Sequence, residues 1–348
     1  MKLAGQRVVV CGGGGFIGGH LVKRLLAQNV KSVRCVDLKA PEDWQQQSPD
    51  AENLVLDLRS KEACEQAVQG VDVVFNLASD MGGMGFIEQN KALCMLSVLI
   101  NTHMLQAARD EGVERFFFAS SACVYNSEKQ KSEDVIPLKE EDAYPASPED
   151  GYGWEKLFSE RMCRHFEEDF GLSCRVARYH NVYGPWGTFE GGREKAPAAI
   201  CRKVIEAKLR GKNEIEIWGD GHQTRSFMYI QDCLEGTQRL MESAVKEPLN
   251  IGSSELVSIN QLVGIVEEIA GIRLTRCYNL CAPKGVNGRN SDNSRIRQLL
   301  GWEPSIRLRE GMKLTYDWIE SQLLRRVGDD RTRRQSEQDP QTRSNELY

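Results

Sequence analysis

The feature that most constrains the fold is a glycine-rich turn between a short apolar run and a helical pattern. Residues 7–11 are almost continuously apolar, as expected for a parallel strand covered on both faces. Gly12-x-x-Gly15-x-x-Gly18 follows, and apolar residues over 20–26 then recur with helical spacing. Such glycines let the backbone approach a pyrophosphate, whose charge meets free N–H groups at the helix N-terminus. The residues predicted to contact a dinucleotide here are Gly12, Gly15, Phe16, Ile17 and Gly18.

An acidic residue ends the second predicted strand, residues 32–37. Asp37 stands where the fingerprint has a carboxylate that accepts from a ribose 2′-hydroxyl and repels a 2′-phosphate, so NAD is the expected cofactor rather than NADP. Asp57 and Leu58 follow the third strand at the same edge and are predicted to lie on the adenine side. The alternative is a turn without a ligand, in which Asp37 only caps a strand. The register of strand, turn, helix and acid favours the cofactor site.

Strands and helices alternate along the first half of the chain. Strands are predicted at 52–57, 71–76 and 113–120, and helices at 61–69 and 89–111. Alternation of this kind implies right-handed βαβ units and a parallel sheet. The expected fold class is α/β, a Rossmann doubly wound parallel sheet with a smaller α/β substrate-binding lobe.

The second half of the chain begins with a polar, acidic loop over 126–150. Further helices are predicted at 151–170, 198–210, 231–243, 258–270 and 309–324, and strands at 173–179 and 214–218. Residues 180–199 are rich in glycine and proline, which favours a substrate-facing loop.

These patterns predict a division of the chain into domains. Residues 1–179, with parts of 225–252, are expected to form the NAD-binding Rossmann domain, and 180–325 mainly the substrate-binding lobe. Residues 328–348 are charged and polar with almost no apolar side chains, so we predict a disordered tail there.

Composition excludes several classes of protein. The net charge of −5 argues against general nucleic-acid affinity. No apolar run reaches the roughly 18 residues that a membrane-spanning helix needs. The first strand starts almost at once, which leaves no room for a secretory signal. The 11 cysteines are scattered, an odd number that fits free thiols in the cytoplasm, and their spacing does not predict a metal site.

Hydroxyl groups and a thiol cluster after the fifth predicted strand, where an open α/β sheet binds ligands. Ser121 and Cys123 follow that strand, and Tyr152 and Lys156 are four residues apart on a predicted helix, so that they share one face. A lysine ammonium beside a phenol favours the phenolate and lowers its pKa. Tyr152 is then predicted to take a proton from a substrate hydroxyl that Ser121 holds, while hydride leaves for NAD. A Tyr-x-x-x-Lys pair alone also occurs on surface helices. The glycine turn and Ser121 together favour the hypothesis that Tyr152 and Lys156 take part in a redox reaction.

The glycine turn, Ser121 and the Tyr152-x-x-x-Lys156 pair resemble those of the extended short-chain dehydrogenases/reductases, over about residues 6–325. Five further motifs resemble those of the GDP-mannose 3,5-epimerase family, which connects GDP-D-mannose to GDP-L-galactose. They are Asp80-Met81-Gly82-Gly83-Met84-Gly85, Ser120-Ser121-Ala122-Cys123, Gly191-Gly192-Arg193-Glu194-Lys195-Ala196-Pro197, Gln223-Thr224-Arg225-Ser226-Phe227 and Gly288-Arg289-Asn290-Ser291-Asp292-Asn293.

The resemblance implies roles for individual residues. Oxidation at C4 of the hexose acidifies the protons on C3 and C5; Cys123 would be the base, Lys195 the acid on the opposite ring face, and Tyr152 with Lys156 would serve the redox steps and contact NAD. A thiolate is reasonable at Cys123 if a positive side chain lies beside it. Residues implied to hold the sugar or the GDP diphosphate are Gly82, Ser121, Cys123, Asn181, Glu194, Lys195, Ala196, Lys203, Gln223, Arg225 and Arg289. A homodimer is the family expectation.

Three alternatives remain at this point. A nucleotide-sugar 4-epimerase needs no acid like Lys195, and a 4,6-dehydratase usually carries Asp-Glu where this chain has Ala122-Cys123. The third is a non-catalytic NAD-binding regulator. The chain departs from the epimerase pattern at Ser79 and Asn287, and the second departure bears on phosphate affinity.

Overall fold

A computed structural model describes the backbone of residues 1–338 and the side chains of residues 1–326. The strands are β1 (Arg7–Cys11), β2 (Ser32–Asp37), β3 (Glu52–Val55), β4 (Val73–Asn76), β5 (Arg115–Ser121), β6 (Cys174–Tyr179), β7 (Val182–Tyr183), β8 (Glu214–Trp218), β9 (Thr224–Ser226), β10 (Met228–Tyr229), β11 (Leu249–Ile251), β12 (Leu256–Ser258), β13 (Thr275–Asn279) and β14 (Gly288–Arg289). The helices are α1 (Phe16–Leu26), α2 (Lys61–Val68), α3 (Met84–Gln89), α4 (Lys91–Met95), α5 (Ser97–Glu111), α6 (Tyr152–Phe170), α7 (Ala196–Arg210), α8 (Ile230–Glu242), α9 (Ile259–Ala270), α10 (Ser294–Leu300) and α11 (Leu308–Gln338).

Seven parallel strands form the central sheet, in the order β11-β6-β5-β4-β1-β2-β3. The chain moves outward from β1 to β3 on one side and from β4 to β6 on the other, so the order reverses between β1 and β4. At such a switch point the carboxyl ends of neighbouring strands leave a crevice in which ligands bind. The predicted fold class, a doubly wound α/β sheet, is confirmed.

The apolar strands of the sheet supply two hydrophobic cores, one on each face. Val8 and Val10 of β1 pack into one cluster, whereas Val9 and Cys11 pack into the other, as the two-residue period of a strand requires. All four side chains are buried. A strand buried on both faces has no polar side to alternate with, which is why the sequence of β1 reads as a continuous apolar run.

The smaller lobe lies beyond β6 and contains short sheets of two or three strands. The antiparallel pair β12 and β9 continues into β14, and β8 pairs with β13. The chain returns from this lobe to add β11 to the central sheet beside β6. Residues from distant parts of the sequence thereby meet at the carboxyl ends of the central strands.

Two predicted elements differ from those observed. The helix predicted at 89–111 is three helices, because the backbone of Asn90 (φ −130°, ψ 41°) leaves the helical region and a further break falls at Leu96. Asn90 has its own side-chain amide bonded to the Phe86 carbonyl, which offers the backbone an alternative to the helical pattern. The loop predicted at 126–150 contains two short 3-10 helices, Ser127–Gln130 and Glu140–Ala143.

The predicted disordered tail is partly helical. The last helix, expected to end near residue 324, continues to Gln338, so residues 328–338 are helical rather than disordered. The remainder of the predicted tail, 339–348, lies outside the described residues. Over the part of the chain that the structure describes, no helix is both long enough and apolar enough to span a membrane.

A buried ion pair joins α6 to β6, and removal of one partner should be strongly destabilising. Arg178 donates to both carboxylate oxygens of Glu160, at 2.9 and 2.7 Å, and both side chains are almost fully buried. Ser120 also donates to Glu160. We expect Arg178→Met to lower the free energy of unfolding by about 3–5 kcal/mol, because it leaves a buried carboxylate without its partner. Denaturant titration of the parent protein and of Arg178→Met measures this difference in the free energy of unfolding.

The matched control is Arg164→Met on α6, whose partner Glu168 is solvent-exposed. This second substitution should leave the free energy of unfolding nearly unchanged, since exposed ion pairs contribute little. Equal losses in the two variants would contradict the expectation.

Candidate active site

The glycine turn between β1 and α1 has the geometry that a bound pyrophosphate requires. Gly12 has φ +78°, and a Cβ placed on Gly18 would lie 2.1 Å from the Gly12 carbonyl oxygen. Neither position accepts a side chain without rearrangement, so the backbone stays open to a ligand at the start of α1. The N-terminus of α1 is capped by Gly15 without a side-chain hydrogen bond, which leaves its N–H groups to a ligand. Phe16 and Ile17 open the helix, and their contact with NAD remains a prediction.

Asp37 is held at the rim of this turn by two backbone amides. The Gly14 N–H donates to Asp37 Oδ2 and the Lys39 N–H to Oδ1, each at 3.1 Å. The carboxylate keeps free lone pairs for ribose hydroxyls, so the residues present fit NAD and disfavour a 2′-phosphate. Asp57 and Leu58 follow β3 on the same side of the sheet. A hydrogen bond from Arg59 lowers the pKa of Asp57, and Leu58 is buried.

We expect Asp37→Ser to weaken NAD binding by roughly tenfold or more, because hydrogen bonds to a charged group contribute about 1.5–3 kcal/mol. The same substitution should narrow the preference for NAD over NADP, since the repelling charge is gone. Isothermal titration with each cofactor measures both effects. Asp43→Ser is the control, because Asp43 is an exposed aspartate only six positions further along the sequence. Unchanged affinities in Asp37→Ser would contradict the assigned role.

Ser121, Tyr152 and Lys156 meet where β5 ends and α6 begins. Lys156 Nζ lies 5.5 Å from the centre of the Tyr152 ring and 3.5 Å from a carboxylate oxygen of Glu155. Tyr152 and Lys156 are both almost fully buried. The arrangement brings the predicted redox residues together at the switch-point edge of the sheet.

The predicted lowering of the tyrosine pKa is not observed. Burial raises the pKa of Tyr152 well above its ordinary value, and the hydrogen bond with Ser121 opposes the rise only in part. The Lys156 ammonium lies over the Tyr152 and Phe118 rings and pairs with Glu155, whose carboxylate itself adds to the rise in the pKa of Tyr152. Burial therefore outweighs the neighbouring cation in the protein without a ligand.

Cys123 lies one turn beyond Ser121 and contacts a cation. Its backbone N–H donates to Ser121 Oγ, and Arg289 Nη1 lies 3.4 Å from Cys123 Sγ. The positive neighbour that the sequence could not supply is therefore present. Burial nevertheless raises the pKa of the Cys123 thiol, the carboxylate of Glu149 adds to the rise, and Arg289 opposes it. The protein without a ligand holds Cys123 as a thiol.

Lys195 occupies the residue before the first turn of α7 and shares the electrostatic environment of Cys123. Burial lowers the pKa of the Lys195 ammonium, while Cys123 raises it and Arg289 lowers it further. The residues assigned as acid and base are thus near enough to influence each other's ionisation, although 72 positions of the sequence separate them. A lysine with a lowered pKa releases a proton more readily than an exposed one.

Two arginines and two amides line the smaller lobe next to Cys123. Burial beside Arg289 lowers the pKa of Arg225 to about 9. Gln223 is buried, and its Oε1 accepts no hydrogen bond within residues 1–326. Asn181 adopts a positive φ of +41°, which is rare for a residue other than glycine and marks a constrained position. Two close guanidinium groups suit a diphosphate, which would neutralise both.

Several predicted substrate residues are already engaged by the protein. Arg225 donates to the Thr224 and Val286 carbonyls, and Arg289 donates to Gln130 and Glu149. Lys203 Nζ donates to the Glu216 carbonyl at 2.9 Å, and Glu194 accepts from Arg202 and from the Gly192 N–H. Gly82 packs against the loop that carries Lys195: a Cβ there would lie 3.2 Å from Arg193 Cα. Ala196 is the first residue of α7. Their contact with a substrate remains a prediction.

Sequence reasoning missed three side chains at this site. Glu149 pairs with Arg289 at 3.2 Å, Gln130 accepts from Arg289 Nε at 2.6 Å, and Glu155 pairs with Lys156. Glu149 lies in an acidic loop where no periodic pattern distinguishes it. Its place three residues before Tyr152 was the one available signal.

These features define a class of protein. A seven-stranded sheet with a dinucleotide turn at its switch point, and a Tyr-x-x-x-Lys pair beside it, is the arrangement of an NAD-binding extended short-chain dehydrogenase/reductase. The profile of the NAD dependent epimerase/dehydratase family matches residues 8–252, and the chain belongs to that family.

Individual relatives agree with this assignment. The chain is 46% identical to GDP-mannose 3,5-epimerase of Arabidopsis thaliana over 318 residues, which are 91% of this chain and 83% of that protein. It is equally similar, at 46%, to GDP-mannose 3,5-epimerase 1 of Oryza sativa subsp. japonica, over 91% of this chain and 82% of that protein. The chain is an NAD-dependent epimerase, and its predicted similarity to the GDP-mannose 3,5-epimerases is confirmed.

Solved structures show the same architecture. UDP-glucose 4-epimerase of Thermotoga maritima, solved with UDP-glucose, superposes with a TM-score of 0.81 at 27% identity, covering 91% of this chain and 99% of that one. UDP-glucuronic acid 4-epimerase of Bacillus cereus, solved with UDP-glucuronic acid and NAD, gives a TM-score of 0.75 at 26% identity, covering 91% and 99%. NAD is the cofactor of this chain, as predicted.

Proposed function

We propose that this enzyme epimerises GDP-D-mannose at C3 and C5 to give GDP-L-galactose, with GDP-L-gulose as the product of epimerisation at C5 alone. The observation that carries the proposal is that Cys123 packs with the redox residue Tyr152 and contacts Arg289, with Lys195 near enough for its charge to interact with Cys123. A 4-epimerase needs the redox residues but has no use for a second acid–base pair. The two relatives named above support the same substrate.

The redox residues act first and last. The glycine turn and Asp37 would hold NAD, which would supply the acceptor for the C4 hydride of the hexose and later its donor. Tyr152 accepts the proton of the C4 hydroxyl as the hydride leaves, Ser121 holds that hydroxyl, and the buried Lys156 supplies positive charge near the phenol. The same groups return the proton when the ketone is reduced.

The acid–base residues act between these redox steps. A ketone at C4 acidifies the C–H bonds at C3 and C5. Cys123, as a thiolate beside Arg289, removes such a proton and becomes a thiol. Lys195 then donates a proton to the opposite face of the same carbon, which inverts it.

Arg225 and Arg289 are proposed to hold the diphosphate, with Asn181, Gln223 and Lys203 completing the nucleotide and sugar contacts. Burial and the charge of Arg289 lower the pKa of Arg225, and the oxygens of a diphosphate would offset that charge. Gln223 Oε1 is an acceptor that no group within residues 1–326 satisfies, and a hydroxyl of the nucleotide or the sugar would supply the donor. Glu194, Gly82 and Ala196 would lie at the edge of the sugar.

Incubation with GDP-mannose in deuterated water, followed by NMR of the sugar, tests the function. Deuterium at both C3 and C5 is expected. A 4-epimerase would give a C4 epimer without deuterium at these carbons, a dehydratase would give a 4-keto-6-deoxy sugar, and a regulator would give no turnover. Any of these three outcomes with NAD-bound protein would overturn the proposal.

A homodimer is also proposed. Large apolar side chains on α5 and α6 are exposed in the single chain, among them Leu99, Trp154 and Phe158. Helices α5 and α6 pack against each other, so these side chains form one surface that a second copy could cover. We expect sedimentation equilibrium to give twice the chain mass, and Phe158→Asp to give the monomer. A monomeric parent protein would contradict the expectation.

A cytoplasmic location is proposed on the cysteines. All 11 are free, and nine of them are buried. Free thiols are maintained in reducing compartments, whereas secreted proteins use their cysteines in disulfides.

A further inference from the structure

Glu149 lies against the reacting thiol and has no role in the chemistry above. Its backbone N–H donates to the Cys123 carbonyl at 3.0 Å. Its Oε2 lies 3.2 Å from Arg289 Nη2, while Arg289 Nη1 lies 3.4 Å from Cys123 Sγ. One guanidinium therefore spans the carboxylate and the thiol and fixes their relative positions.

The second carboxylate oxygen of Glu149 has no partner. Oε1 is buried and accepts no hydrogen bond from any side chain of residues 1–326 or from the backbone around it. A buried acceptor without a donor costs free energy and calls for a functional explanation. A thiol S–H is a donor of the required kind, and the Cys123 thiol contacts the same guanidinium group as the Glu149 carboxylate.

The groups around Cys123 come from five separate elements. They are Glu149 from the loop before α6, Tyr152 from α6, Lys195 before α7, Arg225 from β9 and Arg289 from β14. Among these groups, all within the residues whose side chains the structure describes, Glu149 is the one carboxylate. Burial of Cys123 keeps the thiol protonated, so a base must remove that proton before the sulfur can act on carbon.

We propose that Glu149 accepts the Cys123 proton and so generates the thiolate that acts on the sugar. The S–H bond breaks, an O–H bond forms at Glu149 Oε1, and the sulfur is left as an anion 3.4 Å from Arg289. The thiolate then takes the proton from C3 or C5 and is again a thiol. No electrons are exchanged in these steps. Glu149 then releases one proton to solvent and Lys195 takes one up, which returns both residues to their starting states. Glu149 acts through Cys123 and need not touch the sugar, and the inference rests on the proposed function.

The test compares Glu149→Gln with Glu149→Asp. The amide of Gln can still accept from Arg289 but cannot take up the thiol proton, whereas Asp keeps a carboxylate. Two quantities are measured on NAD-bound protein: deuterium exchange at C3 and C5 of GDP-mannose, and the pH profile of Cys123 alkylation by iodoacetamide, read by mass spectrometry of the Cys123 peptide. Glu141→Gln is the control, because Glu141 is an exposed carboxylate of the same loop.

The two readouts should move in opposite directions. Loss of a general base should slow exchange on the order of 100-fold in Glu149→Gln. Alkylation should shift to lower pH, because removal of a negative neighbour favours the thiolate. Glu149→Asp should recover most of the exchange, and Glu141→Gln should match the parent in both measurements.

Three results would count against the proposal in different ways. Exchange in Glu149→Gln that equals or exceeds that of the parent would overturn it. A parallel fall in exchange and alkylation would overturn it too, because that pattern means that Glu149 only positions the thiol. If the parent itself showed no exchange at C3 and C5, the proposed function would fall, and that result is distinguishable from the first two.

Discussion

Cys123→Ala should abolish solvent deuterium exchange at both C3 and C5 of GDP-mannose while leaving NAD binding intact. The side chain supplies the base, and removal of a general base costs typically 10²- to 10⁴-fold in rate. Asp37 accepts from the Gly14 N–H of the glycine turn, whereas the Cys123 sulfur contacts Arg289, so the cofactor site at the switch point should be unaffected. NMR of the sugar in deuterated water gives the exchange, and isothermal titration gives the NAD affinity.

A second cysteine controls for the loss of a buried sulfur. Cys64 of α2 is also buried, but it packs in one of the two cores of the central sheet, whereas Cys123 packs in a separate cluster with Tyr152. Cys64→Ala should exchange both positions at nearly the rate of the parent protein. If Cys123→Ala also lost NAD binding, Cys123 would be a structural residue and its assignment as the base would be wrong.

Tyr152→Phe should block the oxidation at C4, the step that precedes the proton exchange assigned to Cys123. The substitution keeps the buried ring but removes the phenol oxygen that takes the C4 hydroxyl proton. Oxidation at C4 should therefore fall by about 10²- to 10⁴-fold, and exchange at C3 and C5 should fall with it because no ketone forms. Stopped-flow absorbance at the NADH band measures the oxidation directly.

Adding a substrate that already carries the C4 ketone separates the redox role of Tyr152 from the acid–base roles of Cys123 and Lys195. With a GDP-4-keto-hexose added in place of GDP-mannose, Tyr152→Phe should exchange C3 and C5 at nearly the parent rate, since Cys123 and Lys195 are unchanged. Tyr278→Phe, on the exposed part of β13, should behave as the parent throughout. Failure of Tyr152→Phe on the keto sugar would mean that Tyr152 also serves the acid–base steps.

The sequence predicted well those features that short-range patterns determine. The bounds of β1 and β2 followed from their apolar runs, and the glycine turn and Asp37 from their spacing. The side-chain period of a strand and the φ demands of a tight turn act over a few residues, which is why these predictions needed no knowledge of the fold.

Contacts between distant residues were beyond sequence reasoning. Arg289 and Cys123 are 166 positions apart, and their contact depends on the return of the chain from the smaller lobe. The resemblance to known epimerases supplied both residues but not their contact, and it supplied nothing about Glu149. Glu149 carries no motif, and its importance comes from an unpaired oxygen that only coordinates reveal.

The ionisation of the site could not be predicted either. The sequence suggested a lowered pKa at Tyr152 and a thiolate at Cys123, because each was expected beside a cation. Both pKa values are raised instead, since each group is buried more completely than its neighbours can compensate. Desolvation of a side chain depends on all the residues packed around it in the folded protein, and a short sequence motif does not show which residues those are.

The position of β11 sets where this protein can be divided. Strand β6 is buried along its whole length, and β11 covers its outer edge although it lies some 70 residues further along the chain. A fragment cut after Tyr179 would keep the cofactor turn yet expose an apolar strand with unpaired N–H and C=O groups, which is a template for aggregation. Protease nicking or splitting of the gene near that boundary would therefore yield an insoluble half rather than a small NAD-binding protein. Because β11 comes from the second half of the chain, residues 1–179 cannot form the complete central sheet by themselves.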